Sequence, residues 1–191
     1  ARDETATLRR GLLDAEKAIA LDDREGLGHY ALGRICTILG YRDRAIAAQR
    51  KAVEVTPSSA VNHFGLGYAL WWYGQAEEAL PHFDRAIRLS PHDPQLWMFH
   101  YLWSLCHWAA GAYAAGLDEA RTAVQLKGNE FWAHVAMALS HCKLGEMDCA
   151  RVSAGRAREL LPKLSISHLE RLLGALHPPY LEDGLSTLRK A

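Results

Sequence analysis

Cysteine is scarce in this sequence: the 191 residues include only four, at positions 36, 106, 142 and 149. No two of them form a CxxC pair, and each falls in a segment whose apolar spacing is helical. A disulfide framework is therefore not expected, and reduced thiols in a cytoplasmic protein are the simplest interpretation.

An excess of charge of one sign is also absent, because 22 Lys and Arg residues balance 22 Asp and Glu residues. A nucleic-acid-binding protein usually carries a basic surface, so no nucleic-acid partner is expected. Charged residues make up 23% of the chain without long blocks of one sign, which argues against a disordered chain.

Residues 94–117 contain no Asp, Glu, Lys or Arg and are long enough to cross a membrane. A membrane span is nevertheless not expected. The segment begins at Pro94, contains His100 and His107, and is interrupted by Gly111 at a position where the repeat described below requires a turn.

The common catalytic and nucleotide-binding motifs are missing: there is no GxSxG, HExxH, P-loop or dinucleotide fingerprint. Gly65-Leu66-Gly67 lies within a helical segment with no preceding strand, so it is not a phosphate-binding loop. No set of nucleophile, base and orienting residue is found. We therefore expect a protein that is not an enzyme, with no catalytic residue and no cofactor.

Histidine is plentiful and raises the question of a metal site. His100 and His107 are seven residues apart, as are His134 and His141. Residues two helical turns apart are separated by about 10 Å and cannot share one ion, although His107 and His141 occupy equivalent places in adjacent repeats and could approach each other. We expect no metal, and histidines that fill aromatic positions with a polar tip to satisfy.

Three residue types recur with one set of intervals, 34, 37 and 34 residues. The recurring positions are glycines 40, 74, 111 and 145, alanines 52, 86, 123 and 157, and histidines 29, 63, 100 and 134. Each repeat contains two amphipathic stretches of helical period, here called the first and second helix. Glycine is expected to end the first helix, and Pro57, Pro91 and Pro162 to follow the second.

This pattern resembles the tetratricopeptide repeat. The second repeat matches it best, with His63 in the tryptophan position, Leu66-Gly67, Ala79, Phe83 and Pro91. The third repeat matches least, with Gly116 in place of alanine, Gly128 in place of proline, and three extra residues that leave the register of its first helix open by nearly one turn. The resemblance covers residues 26–162.

The resemblance implies an all-α fold, a right-handed superhelical solenoid. We expect a single domain, 1–191, divided into a partial repeat helix (1–25), four repeats (26–59, 60–96, 97–130 and 131–164) and C-terminal capping helices (165–191). The lone first segment is expected to be helical over residues 8–21, and the capping helices over residues 165–175 and 178–190.

By the same resemblance, first helices line the concave wall of the solenoid. They contain only two formal charges, Arg34 and Lys143, whereas eight of the 17 aromatic residues fall on the 20 positions of the expected concave stripe. The candidate peptide-binding residues are Tyr30, Arg34, Phe64, Tyr68, Trp71, Trp72, Tyr101, Trp108 and Trp132. The third repeat contributes Tyr101 and Trp108 when its register is counted back from Gly111.

Three interpretations of these aromatic residues stay open. They can be packing residues between repeats, they can form a groove for an apolar or amphipathic peptide, or the final helices of the chain or a second copy can fill that groove. A clamp for acidic C-termini is not expected, because Arg34 is the only inward cation of the first three repeats.

Residues 89–94, the lengthened third repeat and the segment from Pro178 to Ala191 resemble C-terminal repeat regions of bacterial class III adenylate/guanylate cyclases, and similar regions follow winged-helix regulators. Two functions are therefore considered. One is a protein-interaction scaffold that binds an apolar or amphipathic peptide. The alternative is a regulatory or oligomerisation arm of a larger bacterial signalling protein. In that case a homodimer of this chain is the candidate assembly.

Overall fold

The computed structural model describes residues 2–191, with side chains from residue 6 onward. Within this range all regular structure is helical, as expected. The helices are α1 (Arg2–Leu21), α2 (Gly26–Leu39), α3 (Arg42–Val55), α4 (Ala60–Trp72), α5 (Ala76–Leu89), α6 (Leu96–Ala109), α7 (Tyr113–Leu126), α8 (Phe131–Lys143), α9 (Met147–Leu160), α10 (Ile166–Leu173) and α11 (Pro178–Leu188).

The chain divides into two compact units, Ala1–Ser90 and Pro91–Ala191. In the first unit α1 packs on α2, α2 pairs with α3, α4 pairs with α5, and α4 also contacts α2 and α3. In the second, α6 pairs with α7, α8 pairs with α9, and α8 also contacts α6, α7 and α11. That residues 1–191 form a single domain stays a prediction.

The four spaced glycines end the first helices, as predicted. Gly40, Gly74, Gly111 and Gly145 have φ values of 79°, 88°, 78° and 80°, a left-handed backbone conformation that costs little only without a Cβ. Because Gly111 adopts the same conformation two residues after α6 ends, counting the register of the third repeat back from this residue is justified.

The recurring alanines lie where helices approach closely. Ala52, Ala86 and Ala123 have no exposed surface at all, and Ala157 is 1% exposed. A larger side chain there would force the helices apart, at a cost of typically 1–3 kcal/mol for overpacking. The spacing of the alanines in the sequence thus corresponds to the contacts between the helices of each repeat.

Gly116, where the repeat pattern has alanine, marks a still closer contact. A Cβ added there would lie 3.0 Å from the carbonyl oxygen of Ser104 on α6. The glycine in the poorest match to the repeat therefore has a structural cause, since a methyl group at residue 116 would require α7 and α6 to shift apart by a few tenths of an ångström.

Helix α1 is longer than the apolar spacing of the sequence indicated. It begins at Arg2 rather than residue 8, and the sequence before Leu8 contains no large apolar residue that could have indicated this extension. The two closing helices, α10 and α11, lie where the sequence predicted them.

Candidate functional site

The first unit contains a cluster of aromatic residues around one arginine. We call this cluster, Arg34 on α2 with Tyr68, Trp71 and Trp72 on α4, the arginine cluster. The guanidinium carbon of Arg34 lies 4.2 Å from the centre of the Tyr68 ring, and the Tyr68 ring lies 5.4 Å from that of Trp72. Such a cation–π contact is worth about 0.5–2 kcal/mol, more where water is excluded.

The predicted contact residues of this unit differ in exposure. Phe64, Trp71 and Trp72 are buried, with 1%, 4% and 8% of their surface exposed, whereas Tyr30, Arg34 and Tyr68 are half-buried. A ligand arriving from solvent would therefore meet Tyr30, Arg34 and Tyr68, and the three buried rings would support them from beneath.

Two donors of the arginine cluster have no hydrogen-bond partner among the described residues. They are Nη1 of Arg34 and Nε1 of Trp72. An unsatisfied buried donor costs about 1–3 kcal/mol, and more when it is charged. Both atoms are shielded from solvent, so this cost is internal to the cluster.

Burial raises the pKa of the Tyr68 hydroxyl, and the charge of Arg34 together with a hydrogen bond from its side chain partly opposes that increase. Tyr68 therefore stays neutral at all ordinary pH values. The arginine cluster accordingly offers apolar rings and a single positive charge, with no negative charge of its own.

In the second unit three half-buried rings form a ladder. Tyr101 on α6 stacks on Trp97 with 5.7 Å between ring centres and on Trp132 of α8 at 6.4 Å, with the two planes only 8° apart. Lys127 Nζ lies 4.6 Å from the centre of the Trp97 ring. Tyr101 and Trp132, both predicted contact residues, thus lie together and remain half-buried.

Trp108, the remaining predicted contact residue, lies beneath α11. It is 6% exposed, and a Cβ added to Gly184 of α11 would lie 3.7 Å from its ring and 4.0 Å from Leu139. Lys143 of α8 also pairs with Asp183 of α11, with 2.7 Å between Nζ and Oδ1. In this unit the chain's own last helix covers part of the predicted stripe, one of the alternatives considered above.

The recurring histidines have a structural role, as predicted. In three of the four repeats the imidazole Nε2 bonds the carbonyl oxygen six residues earlier: His29 to Asp23 at 2.9 Å, His63 to Pro57 at 3.0 Å, and His134 to Gly128 at 3.1 Å. Each ring thus ties its first helix to the preceding loop. His100 differs, since its Nδ1 bonds Glu119 at 2.6 Å.

His63 also contacts a second histidine on the neighbouring helix. Its Nδ1 lies 3.2 Å from Nδ1 of His82 on α5, and the two rings are stacked. Because the Pro57 carbonyl can only accept, His63 carries its proton on Nε2, and His82 must then donate from Nδ1. A proton added to His63 Nδ1 would remove the acceptor of this bond, whereas His82 takes its second proton on Nε2 and continues to donate from Nδ1.

We expect the first unit to lose stability as the pH falls, because the folded chain binds a proton at His82 less readily than the unfolded chain does. Burial, and secondarily His63 and Arg50, hold the pKa of His82 below its usual value, with Glu78 opposing them. Since the pKa is lower when folded, the stabilisation is complete above about pH 6.5 and is lost as the pH falls toward the lowered value. The change in Tm between pH 7.5 and 5.5 should therefore be smaller in His82→Gln than in the native chain.

The exposed His92 provides the matched control for that measurement. His92→Gln should leave the pH dependence of Tm as it is in the native chain. Equal pH dependence in the native chain and in His82→Gln would refute the assignment to His82.

The four cysteines are free thiols. Burial raises the pKa of the Cys36 and Cys142 thiols, which lowers their reactivity as nucleophiles. Among the described residues one group of three donors could hold a metal ion, namely His141, Glu146 and Cys149. None of the predicted contact residues belongs to it.

Two buried polar residues were not predicted from the sequence. Gln49 and Asn62 are 0% and 1% exposed; the Gln49 amide donates to the carbonyl of Tyr30 at 3.2 Å, and the Asn62 amide donates to that of Ala52 at 2.9 Å. Gly33 and Gly65, both facing Gln49, could have indicated a large side chain between them. Trp97 and Phe131 were likewise outside the predicted stripe.

These features define a class of protein built from tandem helix pairs, in which small residues set the helix contacts and aromatic residues gather on the first helices. Residues 28–59 match the sequence model of the tetratricopeptide repeat. Repeats of this family generally mediate protein–protein interactions.

Solved structures with the same fold agree with this class. The chain is similar to PilW, described as a widely conserved type IV pilus biogenesis factor, with a TM-score of 0.79, 17% identity, and coverage of 97% of this chain and 86% of PilW. It is also similar to Pseudomonas aeruginosa PilF (TM-score 0.75, 17% identity, coverage 97% and 82%). A third similar structure is YrrB, a tetratricopeptide-repeat protein with an unusual peptide-binding site (TM-score 0.66, 19% identity, coverage 84% and 81%).

A comparison with the curated proteins found no match. The solved structures named above include no nucleotide cyclase, so the resemblance to cyclase regions stays a prediction. Within residues 2–191, no helix has the length and apolar character needed to cross a bilayer.

Proposed function

We propose that the chain is a protein-interaction scaffold that binds an apolar or amphipathic peptide at Tyr30, Arg34 and Tyr68. The observation that carries this proposal is the Arg34 side chain. Its guanidinium carbon lies 4.2 Å from the centre of the Tyr68 ring, and both side chains are only half-buried, so a cation and an aromatic ring are presented together.

The chemistry of this position suits a peptide. Apolar ligand side chains can pack on the half-buried rings of Tyr30 and Tyr68 and on the half-buried Arg34 side chain. Tyrosine and arginine are residue types that often dominate binding energy, because they bury a large surface and still satisfy polar groups. The buried rings of Trp71, Trp72 and Phe64 would hold the contact residues in place.

In the second unit we propose Tyr101 and Trp132 as contact residues, because both are half-buried and stacked on each other. Trp108 is assigned a different role in this proposal, as the surface on which α11 packs. It would contact a ligand only if α11 moved away.

The site carries one charge, which is too few for a clamp on an acidic segment. Arg34 is the only formal charge on α2 and α4, and the rings beside it are neutral. Affinity should therefore change little with ionic strength, since screening acts on exposed charges separated by about a Debye length or more.

The test begins with peptides selected from a random displayed library against the purified chain, with affinity measured by fluorescence anisotropy. Arg34→Met should weaken binding of a selected apolar peptide at least tenfold, because it removes the charge of the site and the cation–π contact that holds the Tyr68 ring. Arg42→Met is the matched control, since Arg42 lies near the Tyr73 ring at 5.9 Å on a second helix and is exposed. Equal affinities of the two variants, or a selection that yields no peptide, would contradict the proposal.

The alternative function is a regulatory or oligomerisation arm of a larger bacterial signalling protein, such as a cyclase or a winged-helix regulator. Exposed apolar residues of the first unit favour it: Leu13, Leu27 and Ile38 are 64%, 58% and 52% exposed. The occupant would be a second copy, forming a homodimer. Light scattering decides between these states, because a strict monomer at high concentration removes the self-association.

A cytoplasmic location is part of the proposal. It is supported by the four free thiols, two of them buried in a helical core, because reduced cysteines are usual in the cytoplasm.

A further inference from the structure

The turn between α8 and α9 brings three metal-ligating side chains together. One ring nitrogen of His141, one carboxylate oxygen of Glu146 and the sulfur of Cys149 all lie within 4.8 Å of one another. None of the three has a part in the peptide site proposed above. We propose that these residues bind a divalent transition-metal ion, with Zn²⁺ as the best match.

The backbone of this turn is fixed by its own hydrogen bonds. Gly145 takes the left-handed conformation, with φ of 80°, and reverses the chain so that α9 returns beside α8. The amide of Glu146 donates to the carbonyl of His141 at 2.9 Å, and the amide of Ala150 donates to the carbonyl of Glu146 at 3.0 Å. The three ligands are therefore held on a short, closed segment.

The donor set has the composition that zinc prefers. Nitrogen, carboxylate oxygen and thiolate sulfur are all common zinc ligands, and three protein ligands leave a fourth position for water or another group. The hard cations Ca²⁺ and Mg²⁺ require oxygen ligands instead. A mixed set of imidazole, carboxylate and thiolate thus favours Zn²⁺ over these ions.

The geometry requires only small side-chain movements. His141 is 4% exposed and so provides a fixed ligand, while Glu146 and Cys149 are exposed and can rotate. The His141 Nδ1 and Glu146 Oε2 atoms are 2.5 Å apart, closer than the separation of about 3.3 Å between ligands around a tetrahedral ion with bonds near 2.0 Å. Rotation of the exposed Glu146 side chain would move its Oε2 atom to that distance from His141 Nδ1.

The same contact has a simpler interpretation, a hydrogen bond between His141 and Glu146 alone. That interpretation gives Cys149 no role, whereas a metal site requires its thiolate. Substitution of Cys149 therefore separates the two interpretations without disturbing the buried histidine.

The test is titration of the purified chain with Co²⁺ and with Zn²⁺ under reducing conditions. Co²⁺ should produce a thiolate-to-metal charge-transfer band that saturates at one equivalent, and Zn²⁺ should displace it. Cys149→Ser should remove the band, and Glu146→Gln should weaken affinity at least tenfold. Cys142→Ser, which changes a half-buried cysteine outside the set, should keep both the band and the affinity.

Absence of a charge-transfer band in the native chain would overturn the proposal, as would a band that persists in Cys149→Ser. Cys149 and Glu146 are exposed, so both variants are expected to fold, and circular dichroism checks this. Zinc should also raise Tm in the native chain and not in Cys149→Ser, because an ion that binds only the folded state stabilises it.

Discussion

Phe83→Ala is expected to lower the free energy of unfolding by about 3–5 kcal/mol, the usual cost of deleting a fully buried aromatic side chain. Phe83 has no exposed surface. Its ring packs edge-on against Phe64 at 6.0 Å, and a Cβ on Gly67 would lie 3.2 Å from it. Alanine would leave a cavity between α4 and α5 that the helices cannot close.

Urea denaturation followed by circular dichroism measures this change. Leu13→Ala is the matched control in the same unit: Leu13 is 64% exposed, and surface substitutions usually change stability by less than about 0.5 kcal/mol. A Phe83→Ala variant no less stable than this control would contradict the burial of Phe83 between α4 and α5.

Trp108→Ala is expected to destabilise the second unit by a similar amount, about 3–5 kcal/mol, and to release α11. Trp108 lies beneath Gly184 of α11, and its ring is 5.5 Å from Lys143 Nζ, the group that pairs with Asp183. Loss of the indole removes the apolar surface on which α11 packs. Hydrogen exchange should then become faster across residues 178–188.

Trp97→Ala is the control for that experiment. Trp97 is half-buried and stacks on Tyr101, so its loss should disturb the ring ladder and leave hydrogen exchange in α11 unchanged. If exchange in α11 stayed slow in Trp108→Ala, then α11 would be held by contacts other than the indole.

The repeat, the helices and their close contacts could be predicted from the sequence because each depends on short-range chemistry. The backbone needs glycine where it turns left-handed, proline ends a helix, and close helix contacts need alanine. These residues recur at fixed intervals and so reveal the repeat. The histidine intervals likewise predicted a satisfied polar tip, and three of these rings bond a carbonyl six residues away.

The candidate site could be predicted only in part, because exposure depends on which other elements cover a residue. Helical spacing placed Trp72, Tyr68 and Trp108 on the same stripe, yet Trp72 and Trp108 are buried and Tyr68 is half-buried. Nothing in the local pattern indicated that α11 packs over Trp108. The group of His141, Glu146 and Cys149 was missed for a related reason, since it joins two helices across a turn.

Peptide binding at the arginine cluster is tested most directly by site-specific photo-crosslinking. A benzophenone amino acid replaces Tyr30, which is half-buried beside the cluster, or Tyr41, which is 51% exposed at the start of α3. A peptide selected against the native chain should crosslink to residue 30 and not to residue 41. Crosslinking at residue 41 alone, or equally at both residues, would contradict the proposed site.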